Sequence, residues 1–220
     1  MMTVKLLAYT PDPDKLCGMA SALCTGQDID NDCVCESALR GALRRGHESV
    51  AEHASFTFLV EGDSRVTLAQ HTRHRLASFS VESQRYVKGS GREVVMPGRI
   101  AAYPDLAARF ESLADNAALF YADCLERGIP AEDARYGLLQ AGTTRLVMTM
   151  NARELRHFFS LRCCNRAQWE IRSLADEMLR QVKRVAPVLF ENAGPGCVAG
   201  VCPEGGGSCA LPRNRGEWDE

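Results

Sequence analysis

Residues 46–74, GHESVAEHASFTFLVEGDSRVTLAQHTRH, carry two different hydrophobic periods in one stretch. From Ala54 to Glu61 the pattern alternates, with Phe56, Phe58 and Val60 on one face and Ser55, Thr57 and Leu59 on the other. That two-residue period predicts a strand. Gly62-Asp63-Ser64 reads as a turn, followed by a helix over 65–74 with Val66, Leu68 and Ala69 inward. Gln70, Arg73 and His74 lie three and four residues apart there, so a helix would place them on one face.

Outward from this stretch, residues 3–9, TVKLLAY, predict a first strand. Residues 32–45 carry Val34, Ala38, Leu39, Ala42 and Leu43 as a helical stripe, with Gly46 as its cap. Pro104 to Arg127 predicts a long helix, because Leu106, Phe110, Leu113, Ala117, Phe120 and Cys124 recur at helical spacing. Pro104 sits near its start and Gly128 closes it. Pro130 opens another helix through about Gln140. Asn151–Leu161 and Gln168–Val185 are helical too. The second of these turns Ile171, Leu174, Met178, Val182 and Val185 inward, with Trp169 in the core. Helices with a few strands make the fold class α+β. From Ala193 the chain becomes rich in Gly, Pro and Cys, so one domain over 1–192 with a tail over 193–220 is expected.

At 220 residues the chain can bury a core of its own. A formal net charge of −2 argues against a protein that coats nucleic acid. No apolar run has the length to span a bilayer. The opening MMTVKLLAYTPDPDK lacks a basic start followed by a long apolar region, so no signal peptide and a cytoplasmic location are expected. In that setting the 10 cysteines are expected to be reduced. Cys163 and Cys164 are neighbours that point different ways in a helix. Cys197, Cys202 and Cys209 in the tail leave two accounts open, zinc ligation or free thiols.

The chemistry concentrates in Arg73–Tyr86, RHRLASFSVESQRY, with three arginines, a histidine, three serines and a tyrosine. Isolated buried charge is expensive, so guanidinium groups this close need solvent or bound anions. Arginine grips phosphate with planar paired donors, and serine hydroxyls add short hydrogen bonds. The segment therefore reads as a nucleotide-phosphate site.

Arg73-His74-Arg75, seven residues, then Ser83-Gln84-Arg85 resembles the RHR-x7-SxR signature of the flavin-dependent thymidylate synthases. Residues 46–62 resemble that family's GHxSxxEHxxFTF block, and 151–172, NARELRHFFSLRCCNRAQWEIR, its NAR, LR and AQWEIR elements. The blocks occur in the family's order. The resemblance implies a mainly antiparallel sheet flanked by helices, and a homotetramer with active sites built between subunits. It implies conversion of dUMP to dTMP, with methylenetetrahydrofolate as one-carbon donor and FAD with NADPH as reductant.

The resemblance also implies residue roles. Gln70, Arg73, Ser83, Gln84 and Arg85 would contact dUMP, and Arg135 would reach the nucleotide from a neighbouring subunit. His47, Ser49, Glu52, Arg73, His74, Arg75, Asn151, Arg153 and His157 would line the FAD site. Arg162, the arginine of the LR pair, would bind the uracil ring. A cation there would stabilise negative charge at the carbonyl oxygens as C5 becomes nucleophilic. Following Phe158, Phe159 and Leu161, it is expected to project from a buried element into a cleft.

Local accounts compete with several of these roles. Asn151 with Glu154, and Ser49 with Glu52, each spell a helix-capping box. Arg135 could pair with Glu132 or Asp133 at the surface, and Arg162 could form a surface salt bridge. Serine turn chemistry explains Ser78 and Ser80. Where many family members carry Asn-Glu, this chain has Ser80-Val81, which removes a carboxylate contact. An RNA-binding protein would interleave aromatics with the basic residues. Here the aromatics fall on strand and helix faces.

Overall fold

The computed structural model describes residues 2–87, 91, 93–200 and 202–219. In chain order the elements begin with β1 (Thr3–Tyr9), α1 (Pro13–Cys24), α2 (Asp32–Arg44) and a 3-10 turn at Glu48–His53. They continue with β2 (Ser55–Ser64), α3 (Arg65–His71), β3 (Ala77–Val81), α4 (Gly98–Ala101) and α5 (Pro104–Glu126). A short α6 (Ala131–Ala134) runs into a 3-10 turn at Arg135–Gly137, followed by β4 (Thr143–Asn151), α7 (Ala152–Arg162) and α8 (Trp169–Val185). The strands form an antiparallel sheet in the order β1-β2-β4-β3, so the α+β expectation holds. No helix among the described residues is long and apolar enough to cross a membrane.

The chain divides into two compact units. One comprises Met1–Thr3, Val60–Arg73 and Ser80–Leu146, the other Val4–Leu59, His74–Phe79 and Val147–Glu220. In the second unit, alternation on β2 buries Phe56 and Phe58, and alternation on β4 buries Met148 and Met150. Phe56 packs edge-on to Phe190 (centroids 5.4 Å apart), and Phe159 packs edge-on to the same ring (5.9 Å). Each such fully buried side chain contributes about 1.5–3 kcal/mol. Helix α1 starts at Pro13, suited to a first turn where its missing N–H is no loss. It lies so close to α2 that a Cβ on Gly18 would stand 2.9 Å from the Cys35 carbonyl oxygen. Helix α2 ends at Arg44, and Gly46 beyond it takes φ +77°, the conformation expected of its cap.

In the first unit, α5 turns Ala114, Ala117, Tyr121 and Cys124 inward, and Tyr121 and Cys124 cluster with Ala134. The expected stripe is only partly buried: Leu106, Leu113 and Phe120 are exposed, with Leu119 beside them. The helix expected from Pro130 stops at Ala134. Helix α3 also departs from expectation, because it buries Thr67 and His71 while Val66 and Ala69 face out. Its first turn explains this: Ser64 caps it through Thr67 N (3.2 Å), and His71 lies 3.6 Å from the buried Asp63 carboxylate. The helix ends at His71, where the Thr72 hydroxyl turns back to the Ala69 carbonyl (3.3 Å). The common helical face expected for Gln70, Arg73 and His74 therefore does not form. Trp169, expected in the core, is 43% exposed at the start of α8.

The tail is docked on the second unit. Arg213 reaches Asp176 on α8 at 2.7 and 2.9 Å and stacks over the buried Trp218 ring at 4.5 Å. Lys183 near the end of α8 holds Asp219 (2.6 Å).

Candidate functional site

Helix α7 builds the centre of the candidate site in the second unit. Asn151 caps it, accepting from Glu154 N at 2.9 Å. Leu155, Phe158 and Phe159 are fully buried and fix the rotation of the helix. Glu154, Phe158 and Arg162 are then four apart on one ridge. The imidazole of His74 lies along that ridge. Its Nδ1 is 2.9 Å from Glu154 Oε1, its ring is 4.8 Å from that of Phe158, and its Nε2 accepts from Arg162 Nε at 3.1 Å. His74 is 4% and Glu154 7% exposed, so the pair is shielded from water. Burial depresses the His74 pKa, opposed by the Glu154 hydrogen bond and reinforced by the Arg162 charge.

Half of the capping box expected at Asn151 is present. The Glu154 carboxylate goes to His74, because a buried imidazole N–H needs an acceptor and the helix start does not. The box expected at Ser49 does not form. Residues 48–53 are a 3-10 turn without a side-chain cap, and Glu52 pairs with Arg153 instead. That ion pair joins the 47–53 segment to the first turn of α7. The Glu52 hydrogen bond and charge raise the pKa of Arg153. Arg153, His47, Ser49 and His157 are all exposed around it, and Arg75 is exposed beyond His74. The His157 ring is 5.9 Å from that of His74.

Arg162, at the end of α7, also lines a cleft of about 550 Å³ with Cys164, Arg166, Cys197, Cys209 and Arg213. The far wall of this cleft is the docked tail. Cys202 lines it as well, yet among the described residues no group of three or more His, Cys, Asp or Glu side chains is placed to hold a metal ion. Cys163 is buried while Cys164 faces the cleft; the two point different ways, as expected, but from the bend just past α7 and not from within a helix.

The first unit holds a second group of arginines. Arg85 pairs with Glu132 at 2.9 Å, and Arg135 Nε donates to the Glu132 carbonyl oxygen at 3.2 Å. The expected Arg135 ion pair is thus replaced by a bond to backbone, with the Glu132 carboxylate given to Arg85. The Ser83 hydroxyl accepts from Arg85 N at 3.3 Å, which shapes the turn and leaves its own O–H to donate. Gln84 lines a cavity of about 140 Å³ with Arg65, Glu82 and Tyr121. Gln70 turns back to Val66 O (3.5 Å), and Arg73 is exposed just past α3.

Arg65 is a residue the sequence motifs did not single out. Burial and the nearby Arg135 charge lower its pKa, and its Nε is buried without a hydrogen-bond partner. The Glu82 and Asp63 carboxylates oppose that shift, and Arg65 donates from Nη2 to the Glu82 carbonyl oxygen at 3.4 Å. Its signal was its place directly after the Ser64 helix cap.

The model of a family described as thymidylate synthase complementing protein matches residues 5–188. A flavin-dependent thymidylate synthase of Geobacter sulfurreducens is 49% identical over 217 residues, covering 94% of each chain. One from Clostridium tetani is 42% identical, covering 94% of this chain and 92% of its own. In structure, the chain is similar to a UMP/dUMP methylase, PolB of Streptomyces cacaoi, bound with 5-Br dUMP. The TM-score is 0.74 at 27% identity, over 87% of this chain and 93% of that one. With sequence, motif order and fold in agreement over most of its length, the chain belongs to the thymidylate synthase complementing protein family, the flavin-dependent thymidylate synthases.

Proposed function

We propose that this chain makes dTMP from dUMP, with methylenetetrahydrofolate as one-carbon donor and FAD with NADPH as reductant, and that Arg162 is its catalytic cation. The observation that carries the role of Arg162 is its setting. A guanidinium anchored at one nitrogen by a buried imidazole stands at the wall of a cleft. It can meet the pyrimidine carbonyl oxygens and stabilise the charge that gathers there when C5 attacks.

The exposed groups around the start of α7 suit an anionic dinucleotide. Arg153 keeps half its side chain open to solvent beside Glu52, and Ser49 and His47 present further donors. Leading N–H groups of an 11-residue helix add to the attraction. We assign FAD to these residues with Asn151, His157, Arg73 and Arg75, and His74 supports the site from its buried position. Bound there, the flavin supplies hydride chemistry that no side chain can. The chain's own part is to bind, orient and hold charge.

For nucleotide phosphate we assign Arg85, Arg135, Ser83 and Gln84, with Gln70 and Arg73. Arg65, which lines the same cavity as Gln84, is added to the set. Assembly as a homotetramer, with one nucleotide drawing groups from more than one copy, accords with the exposed Leu106, Leu113, Leu119 and Phe120 of α5. We take residues 1–192 as the catalytic domain, 193–220 as its tail and the cytoplasm as its location. The visible spectrum tests the whole proposal. Purified protein should be yellow, and dUMP should shift the flavin bands. A folded, colourless preparation that takes up neither FAD nor dUMP would refute it.

A further inference from the structure

One buried carboxylate near the site has no role in the chemistry above. Glu154 sits in the first turn of α7, 7% exposed, away from the exposed Arg153 beside it. A carboxylate this far from water needs a partner to stay charged. Its partner is His74 Nδ1, at 2.9 Å. The other ring nitrogen of His74 is an acceptor, because Arg162 Nε always carries a hydrogen and points it at His74 Nε2 from 3.1 Å. Those two contacts allow one arrangement of protons. Nε2 is bare, Nδ1 carries the hydrogen, and the Nδ1–H donates to the carboxylate.

We propose that Glu154 is a positioning residue for Arg162, acting through His74. Its carboxylate fixes the imidazole as the Nδ1–H tautomer, and the bare Nε2 then aims the Arg162 guanidinium. The inference rests on the assignment of Arg162 to the pyrimidine. The ridge spacing makes the device compact: Glu154 and Arg162 are eight residues apart on α7, two turns, and the ring of His74 spans the gap over Phe158. Without the carboxylate, the tautomer with hydrogen on Nε2 becomes available. That hydrogen would face the Arg162 N–H and turn the guanidinium away.

The test uses the flavin-loaded enzyme, with retained FAD as the check on folding. Glu154→Leu removes the acceptor and keeps the bulk. Glu154→Gln keeps an acceptor oxygen, and since Nδ1 must carry the hydrogen, the amide settles with that oxygen toward it. Dissociation of dUMP, read from flavin absorbance, and tritium release from 5-labelled dUMP are measured for both. Glu154→Leu is expected to lose about ten- to a hundredfold in turnover, the scale of a misplaced contact. Glu154→Gln should stay within about threefold of the unaltered enzyme, since the tautomer survives.

In an Arg162→Ala background, Glu154→Leu should weaken dUMP binding no further, because only the arginine transmits the effect. Ring ¹⁵N shifts of His74 in the unaltered enzyme provide a readout that needs no variant. A bare Nε2 supports the proposal, and a protonated Nε2 overturns it. So does equal activity of Glu154→Leu and unaltered enzyme, or an equal loss in both backgrounds. If Arg162→Ala itself turns over normally, the role of Arg162 fails, a result distinct from the failure of Glu154 alone.

Discussion

Replacing Arg213 by alanine should unlatch the tail at a cost large enough to measure. Its guanidinium makes two contacts to Asp176 (2.7 and 2.9 Å), two to Glu217 (2.8 and 2.7 Å) and one to the Cys163 carbonyl (3.0 Å), and stacks 4.5 Å above the Trp218 ring. The Arg213 and Asp176 side chains are 12% and 14% exposed, so solvent replaces little of this. Removing one partner of a buried ion pair costs about 3–5 kcal/mol, and loss of the stack adds about 0.5–2. The Trp218 indole N–H still satisfies one Asp176 oxygen (2.9 Å), which offsets part of the loss. A net loss of about 3–5 kcal/mol is expected, and for a chain of this size that lowers Tm by about 6–20 °C. Thermal unfolding followed by circular dichroism measures it. Asp176→Ala combined with Arg213→Ala should cost less than the two single losses added, because neither charge is left stranded. A Tm within about 2 °C of the unaltered protein would refute the latch.

Two further outcomes follow from burial. The folded pKa of His74 lies below its ordinary 6.5. As pH falls below 6.5 the unfolded chain takes up a proton that folded His74 resists, so stability drops through that window and is flat above it. Urea unfolding from pH 8 to 5 should show His74→Gln losing this component, at most about 1.4 kcal/mol per pH unit, and an unchanged profile would contradict it. Burial also pushes the Cys17 thiol up to about 12 and holds the Cys163 thiol well above its usual range. Alkylation of native protein at neutral pH should therefore mark the exposed Cys24 and Cys33 first, and early labelling of Cys163 by mass spectrometry would count against the packing.

Much of the fold was legible where one period dominated. Strand β1 and helix α2 match their expected spans to within a residue, and α5, α7 and α8 start where Pro104, Asn151 and Gln168 announce them. Strand β4 is marked only faintly: Thr144, Leu146, Met148 and Met150 alternate, yet methionine marks no element strongly. Helix α1 was hidden because its inward side is Cys17, Gly18, Ser21 and Ala22, small residues without an apolar stripe. In the candidate site, the motifs located His74, Arg153 and Arg162. They could not show that Glu154, read as a cap, turns to His74, since that contact spans 80 positions in sequence. Nor could they show the Arg85–Glu132–Arg135 grouping, which depends on the short α6 bringing residues 132–135 to the turn after Ser83.

The catalytic assignment of Arg162 is tested most directly by tritium release from 5-labelled dUMP in Arg162→Ala. The expected result is loss of release with bound FAD mostly retained, since most of the groups proposed for the flavin, Arg153 with Glu52, Ser49 and His47, lie by the first turn of α7 and Arg162 lies at its last. Release near the unaltered rate, from an enzyme still yellow and folded, would contradict it.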